Sequence, residues 1–164
     1  MALQGLSSYC DWNLSGLRSV HYAPTAWVNT NTYERIISDA WNWQYNIEFT
    51  EGDWMLLPVL PGDAAWDETE KASDQGKFFD QQLTGLLRSM RPAVQGEFDE
   101  MSNYRFLLQL TDRNGHSWLL GTLESPFDFS AEGSGGQARR GVNGYQVSFV
   151  SRTPHRAFGF VPVL

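Results

Sequence analysis

Apolar and polar residues alternate most regularly in residues 41–49 of the chain. One side of this segment carries Trp41, Trp43, Tyr45, Ile47 and Phe49, and the positions between them are polar or acidic. A period of two residues places alternate side chains on opposite faces of an extended backbone. The segment is therefore predicted to be a β-strand.

The segments around this strand are less regular. Residues 54–60 are predicted to form its partner strand, and Pro58, which lacks a backbone N–H, would place that partner at a sheet edge or a bulge. Residues 32–40 are predicted to be a short helix or a turn. Residues 16–23 have β character and are predicted to be a further strand.

A hairpin is predicted in the second half of the chain. Residues 104–111 and 116–122 are both rich in strand-forming residues, and Asn114-Gly115 lies between them. Asn-Gly is a strong signal for a tight hairpin, because both residues can adopt a positive φ.

Further strands are predicted at residues 76–90, 125–130, 144–152 and 157–163. The first of these fits a helical spacing about as well as an alternating one. A strand is preferred there because the segment that follows it is the better helix candidate.

That segment, residues 92–103, is the one helix predicted in the chain. Pro92 suits a first helical turn, and Val94, Phe98 and Met101 follow at spacings of four and three residues. These spacings bring the three apolar side chains to one face of a helix.

Two long loops are predicted between these elements. Residues 61–75 are polar and acidic, and residues 131–141 are rich in glycine. The acidic residues of the first loop are Asp63, Asp67, Glu68, Glu70 and Asp74. Long loops in compact domains are commonly functional or mobile.

Together these elements predict one domain over residues 1–164 of the mainly β (α+β) class. The expected architecture is an antiparallel β-barrel or sandwich with one short α-helix at residues 92–103. A length of 164 residues suits a single core.

Charge and cysteine content narrow the function classes. The net charge is −7, and the only basic run is Arg139-Arg140, so binding to nucleic acid phosphates is not expected. Cys10 is the only cysteine, which excludes an internal disulfide. The N-terminus lacks the pattern of a signal peptide, and no apolar run approaches the roughly 20 residues that span a bilayer. We expect a chain folded in a cytoplasm, without a membrane span.

No motif predicts catalysis, a metal site or a cofactor. His21, His116 and His155 stand alone, without ligand spacing to one another or to Cys10. A hydrolase that uses Asp67 and Glu68 is the weakest of the functional hypotheses. We therefore expect a protein that is not an enzyme and holds no cofactor or metal.

The seven tryptophans exceed what a core of this size requires. Large aromatic side chains are also enriched where protein surfaces are buried against each other. A carbohydrate-binding β-sandwich, with Trp41, Trp43 or Trp118 stacking on sugar rings, is the alternative interpretation.

The order of motifs from residue 104 to residue 160 resembles that of tailed-phage and prophage tail structural proteins of the tail-tube type. The turn Asp112-Arg113-Asn114-Gly115 follows a strand, and the run 118–121 carries an aromatic residue and a glycine. Pro126, the glycine-rich segment 133–141 and the strand opening Asn143-Gly144-Tyr145 come next. The resemblance is clearest over the C-terminal third. Cys10 and the run 15–17 are similar to the start of such proteins, more weakly.

The resemblance implies a virion component, made in the host cytoplasm, that assembles with copies of itself. It implies stacked rings, typically six-fold, that contact other tail proteins and form a conduit through which DNA passes without specific binding. A tail-completion or connector ring protein is the related alternative. The residues expected at the self-assembly interface are Trp54, Trp66, Asp67, Glu68, Gly133, Gly135, Gly136, Arg139 and Arg140.

Overall fold

Antiparallel strands make up most of the chain, as expected for a mainly β protein. The computed structural model describes residues 15–37, 43–60, 62–88, 91–134 and 143–159. The strands in these ranges are β1 (Leu17–Pro24), β2 (Glu34–Ile37), β3 (Trp43–Asn46), β4 (Met55–Leu56), β5 (Ala64–Ser73), β6 (Gly76–Leu87), β7 (Arg105–Asp112), β8 (Ser117–Leu120), β9 (Phe127–Ser134), β10 (Gly144–Thr153) and β11 (Phe158–Gly159). The α-helix α1 (Pro92–Met101) confirms the predicted helix, and a 3-10 turn, η1, covers Thr25–Trp27.

The main sheet has the strand order β11-β8-β7-β9-β10-β6-β5, and β1 pairs with both β7 and β4. The sheet is open, so the mainly β class is confirmed, whereas the barrel, one of the two expected architectures, is wrong. Among the described residues it ends at β11 on one side and at β5 on the other. Side chains of β5 accept hydrogen bonds from Arg156 and from the Ala157 backbone N–H, just before β11.

The core is the buried cluster between the β1–β7–β8 part of the sheet and the β6–β10–β9 part. Phe149 on β10 lies at its centre, fully buried and in ring contact with Tyr22, Phe106 and Phe129. Helix α1 covers one end of the cluster, because Phe98 packs edge-on against Tyr145. The apolar face predicted for the helix is thus the face that meets the sheet.

The predicted hairpin is confirmed by the pairing of β7 with β8. The turn differs from the expected one: Gly115 has a φ of 88°, whereas no residue other than glycine has a positive φ in the described part of the chain. The Asp112 carboxylate accepts hydrogen bonds from the backbone N–H groups of Asn114 and His116 instead. This Asx-type bonding shapes the turn without a positive φ at Asn114.

The first half of the chain pairs differently from the prediction. Residues 34–37, expected in a helix or turn, form β2, which pairs with β3 in a separate two-stranded sheet. The segment 54–60 contributes only the short β4, which pairs with β1 and ends before Pro58. Residue 41, at the start of the predicted strand, lies outside the described residues.

Both segments that were predicted to be long loops contain β-strand residues. Residues 64–73 form β5, and residues 131–134 extend β9, while residues 135–142 lie outside the described part. In β5 the strand is stabilised by its ladder with β6, which the charged sequence does not reveal. The ambiguous segment 76–90 contains β6, in agreement with the preferred interpretation.

Candidate functional site

The acidic segment that was expected to be a loop is the edge strand of the main sheet. Strand β5 pairs with β6 from Ala64↔Gly85 to Ser73↔Gly76, and its outer side has no strand partner among the described residues. Such an edge presents backbone N–H and C=O groups that can pair with another chain. Trp66, Asp67 and Glu68, three residues of the predicted interface, lie on this strand.

Alternation along β5 separates Asp67 from Glu68. The Glu68 carboxylate faces the sandwich interior, with 13% of its side chain exposed, whereas Asp67 is exposed on the opposite face beside Asp80 and Arg152. Neighbouring strand residues point to opposite faces. The two carboxylates therefore cannot act together on one substrate, which removes the geometric basis of the hydrolase hypothesis.

Glu68 connects β5 to two distant parts of the chain. Its Oε2 accepts hydrogen bonds from Gln81 Nε2 at 2.7 Å and from the Ala157 backbone N–H at 2.8 Å. Its Oε1 accepts from Arg156 Nη1 at 3.2 Å. Gln81 is only 2% exposed, and its Oε1 has no hydrogen-bond partner among the described residues. Because buried polar groups are normally bonded, Glu68 supplies the acceptor that the buried Gln81 amide needs.

Basic side chains compensate the carboxylates on the same face. Arg156 also donates to Glu70, and its guanidinium lies 4.7 Å from the centre of the Phe79 ring. Lys77 Nζ is 2.9 Å from Glu70 Oε1, and its hydrogen bond is the largest cause that holds the pKa of Glu70 below its ordinary value. The edge strand therefore carries charges of both signs.

A second charge cluster occupies the outer face of the sheet. Asp80 on β6 lies 2.6 Å from Lys71 Nζ and 2.8 Å from Arg152 Nε. The hydrogen bond from Arg152, followed by that from Lys71, lowers the pKa of Asp80 from 3.8 to about 2. The Arg152 guanidinium also lies 4.4 Å from the centre of the Phe78 ring. This cluster lines a shallow groove of about 520 Å³ beside β5.

A second groove, of about 420 Å³, lies at the start of β5 and contains two tryptophans. The rings of Trp66 and Trp118 are 6.0 Å apart and tilted by 36°. Asp112 and Asn114, from the turn of the β7–β8 hairpin, form part of its wall. The Trp66 Nε1 donor is buried and has no hydrogen-bond partner in the described part of the chain. This groove combines ring faces with polar groups.

The other predicted interface residues are not brought to β5. Trp54 precedes β4 and packs edge-on against Phe49 at 5.5 Å. Gly133 lies in β9, opposite Tyr145. Four of the predicted residues lie outside the described residues: Gly135, Gly136, Arg139 and Arg140. Of the tryptophans expected to stack on sugars, Trp41 also lies outside them, and Trp43 begins β3.

Sequence reasoning did not single out the residues that complete the two charge clusters. These are Lys71, Asp80, Arg152 and Arg156. Residues 64–71 give only a weak signal, because apolar and acidic residues occur at both alternating sets of positions. The pairing of Arg152 with Asp80, however, depends on the register of β10 against β6 across 72 residues. No local pattern reveals that register.

No family model, no curated protein and no solved structure matches the chain. Among the described residues, no helix is long and apolar enough to span a membrane.

Proposed function

We propose that the chain is a structural subunit of a bacteriophage tail that assembles with copies of itself into stacked rings around a DNA conduit. The observation that carries the proposal is the ten-residue edge strand β5 at the end of an open sheet. Pairing of this edge with a neighbouring subunit would satisfy its outward-facing backbone groups and remove the aggregation hazard of a free edge.

The two ends of the sheet are formed by different strands, β5 and β11. A contact in which β5 of one subunit meets the β11 end of the next is heterologous, whereas a contact between two β5 edges would be isologous and would give a two-fold dimer. Heterologous contacts generate rings when the rotation closes. The motif order of the C-terminal third supports six-fold rings in a tail tube, and a tail-completion or connector ring would use the same contact.

The charge distribution suits this role. With a net charge of −7, the subunit would present a lumen that DNA passes without specific binding. Positive side chains such as Lys71 on β5 and Lys77 on the neighbouring β6 would limit repulsion between adjacent copies. In this role the subunit performs no catalysis and needs no cofactor, and it resides in the virion tail after synthesis in the host cytoplasm.

Mass photometry and negative-stain electron microscopy of the purified protein test the proposal over a range of concentrations. Rings or tubes of uniform diameter are expected as the concentration rises. A sharp monomer that persists at high concentration would refute self-assembly.

Two proline variants test whether β5 is the contact. The backbone N–H groups of successive strand residues point to opposite edges of the strand. Proline has no backbone N–H, so one of the variants Thr69→Pro and Glu70→Pro removes a hydrogen bond to β6, and the other removes a donor that faces away from β6. We expect the variant that keeps the wild-type melting temperature to lose the rings. Unchanged rings in that variant would exclude β5 as the assembly edge.

A carbohydrate-binding module is the second candidate, and the Trp66–Trp118 groove favours it. Two aromatic rings beside Asp112 and Asn114 offer stacking faces and hydrogen-bond groups to a sugar. A glycan array followed by calorimetry of any binder tests this function. Binding that Trp118→Ala abolishes while the fold is retained would support it, whereas an array without binders would refute it.

A further inference from the structure

A third groove lies between helix α1, β1 and η1. It encloses about 240 Å³, and four aromatic rings and two carboxylates form its walls: Tyr22, Trp27, Tyr104, Phe106, Glu97 and Glu100. We name it the helix groove. Its volume lies below the roughly 300–1,000 Å³ of typical small-molecule sites, so it suits one side chain better than a whole cofactor.

The aromatic walls are held in place by packing. Phe106 is 1% exposed and meets the Tyr22 ring edge-on at 5.7 Å. Gly52 lies directly against Trp27, because a Cβ at that position would come within 2.7 Å of the indole ring. The Trp27 orientation is therefore constrained by the backbone beside it, and the groove is formed before any ligand arrives.

The rim of the helix groove is acidic and lacks a basic counterpart. Glu97 and Glu100 are three residues apart, which brings them to one side of α1. Neither carboxylate forms an ion pair with a described residue, and none of the described lining residues is basic. Burial and the charge of Glu97 both raise the pKa of Tyr22, so its hydroxyl remains protonated at neutral pH.

A solvated helix face would account for the two carboxylates, and core packing accounts for the buried Phe106 ring. Neither accounts for the three partly exposed rings beside the carboxylates, those of Tyr22, Trp27 and Tyr104. Aromatic faces attract cations through their quadrupole, and the attraction adds to that of a nearby carboxylate. Arginine fits this combination best, because its planar guanidinium stacks on rings and forms paired hydrogen bonds with carboxylates.

We propose that the helix groove binds an arginine side chain carried by an apolar segment of a separate, basic partner protein. A basic partner complements both the acidic rim and the net charge of −7, whereas a second copy carries the same negative net charge. The inference does not depend on the proposed ring assembly, since the helix groove and β5 share no residue.

Titration of the ¹⁵N-labelled protein with acetyl-Leu-Arg-Leu-amide tests the proposal by NMR. The matched probe replaces arginine by citrulline, which has the same shape without the charge. We expect the arginine peptide to shift the Trp27 indole resonance and the amides of α1, with at least ten-fold higher affinity than the citrulline peptide. The double variant Glu97→Gln/Glu100→Gln should lose this preference.

The control variant is Asp99→Asn, which removes one carboxylate from the same helix but does not line the groove. It should retain the wild-type preference for arginine. Equal affinity for the two peptides, or shifts confined to other regions, would overturn the proposal. Concentration-dependent shifts of the same resonances without peptide would assign the groove to a second copy and would also overturn it.

Discussion

Glu68 offers the sharpest test of how the edge strand is held in the fold. Its carboxylate accepts hydrogen bonds from Gln81, Arg156 and the backbone of Ala157. The variant Glu68→Ala removes all three acceptor contacts at once. Arg156, with 61% of its side chain exposed, can turn to water and to Glu70, but Gln81 at 2% exposure cannot.

The loss of stability expected for Glu68→Ala follows from the two donors that lose their acceptor. A buried donor left without a partner costs about 1–3 kcal/mol, which applies to the Nε2 of Gln81, and the half-buried N–H of Ala157 adds about 1 kcal/mol. We expect Glu68→Ala to lower the free energy of unfolding by about 2–4 kcal/mol. For a chain of this size, that corresponds to a fall in melting temperature of roughly 4–16 °C.

A double-mutant cycle isolates the pairing with Gln81. Gln81→Met removes both the Nε2 donor and the unpartnered Oε1 while preserving the side-chain volume, and should lower the free energy of unfolding by less than about 1.5 kcal/mol. In the Gln81→Met background, Glu68→Ala should then lower the free energy of unfolding by at least about 1 kcal/mol less than it does in the wild type. Urea denaturation followed by circular dichroism measures all four proteins.

The matched control is Asp67→Ala, the neighbouring carboxylate on the exposed face of the same strand. It should change the free energy of unfolding by no more than about 0.5 kcal/mol. If Glu68→Ala costs no more than Asp67→Ala, or if the cycle shows no coupling, the assigned role of Glu68 is wrong.

Three further predictions concern packing and charge. Gly144→Ala places a Cβ 2.2 Å from the Leu87 carbonyl oxygen and should lower the free energy of unfolding, measured by urea denaturation, by about 1–3 kcal/mol. The control Gly96→Ala, with no atom within 4 Å of the added Cβ, should raise it by up to about 1 kcal/mol. Equal effects of the two substitutions would contradict the close packing at Gly144. Phe149→Ala should cost about 3–5 kcal/mol on thermal unfolding, and a loss below about 1 kcal/mol would show that its site is not tightly packed. Because the pKa of Asp80 is lowered from 3.8 to about 2 in the folded state, its ionised form contributes stability that is present above about pH 4 and is lost as the pH falls to about 2. Asp80→Asn should therefore flatten the loss of stability between pH 4 and pH 2, and an unchanged pH profile would contradict that pKa.

Local patterns predicted the elements whose stability is local. The hairpin of β7 and β8 follows from two apolar runs around a turn with Gly115, and α1 follows from Pro92 and the spacing of its apolar residues. The mainly β class follows from the same alternation repeated along the chain. These features depend on neighbours within a few residues, which the sequence displays directly.

The edge strand and its site depend on contacts between distant residues. Residues 69–77 are exposed, and all but Ala72 and Gly76 are charged or polar, so only the ladder with β6 makes the end of β5 a strand. The same holds for β4, which pairs with β1 and not with the strand nearest in sequence.

The sequence by itself determined which segments are amphipathic, where turns can form, and that the chain is acidic and rich in aromatic residues. Only the tertiary structure decided which strands pair, which carboxylates meet a basic partner, and which aromatic rings border a groove. The physical reason is that strand partners are selected by burial of a shared core, and the register they adopt brings together residues such as Asp80 and Arg152 that are far apart in the chain.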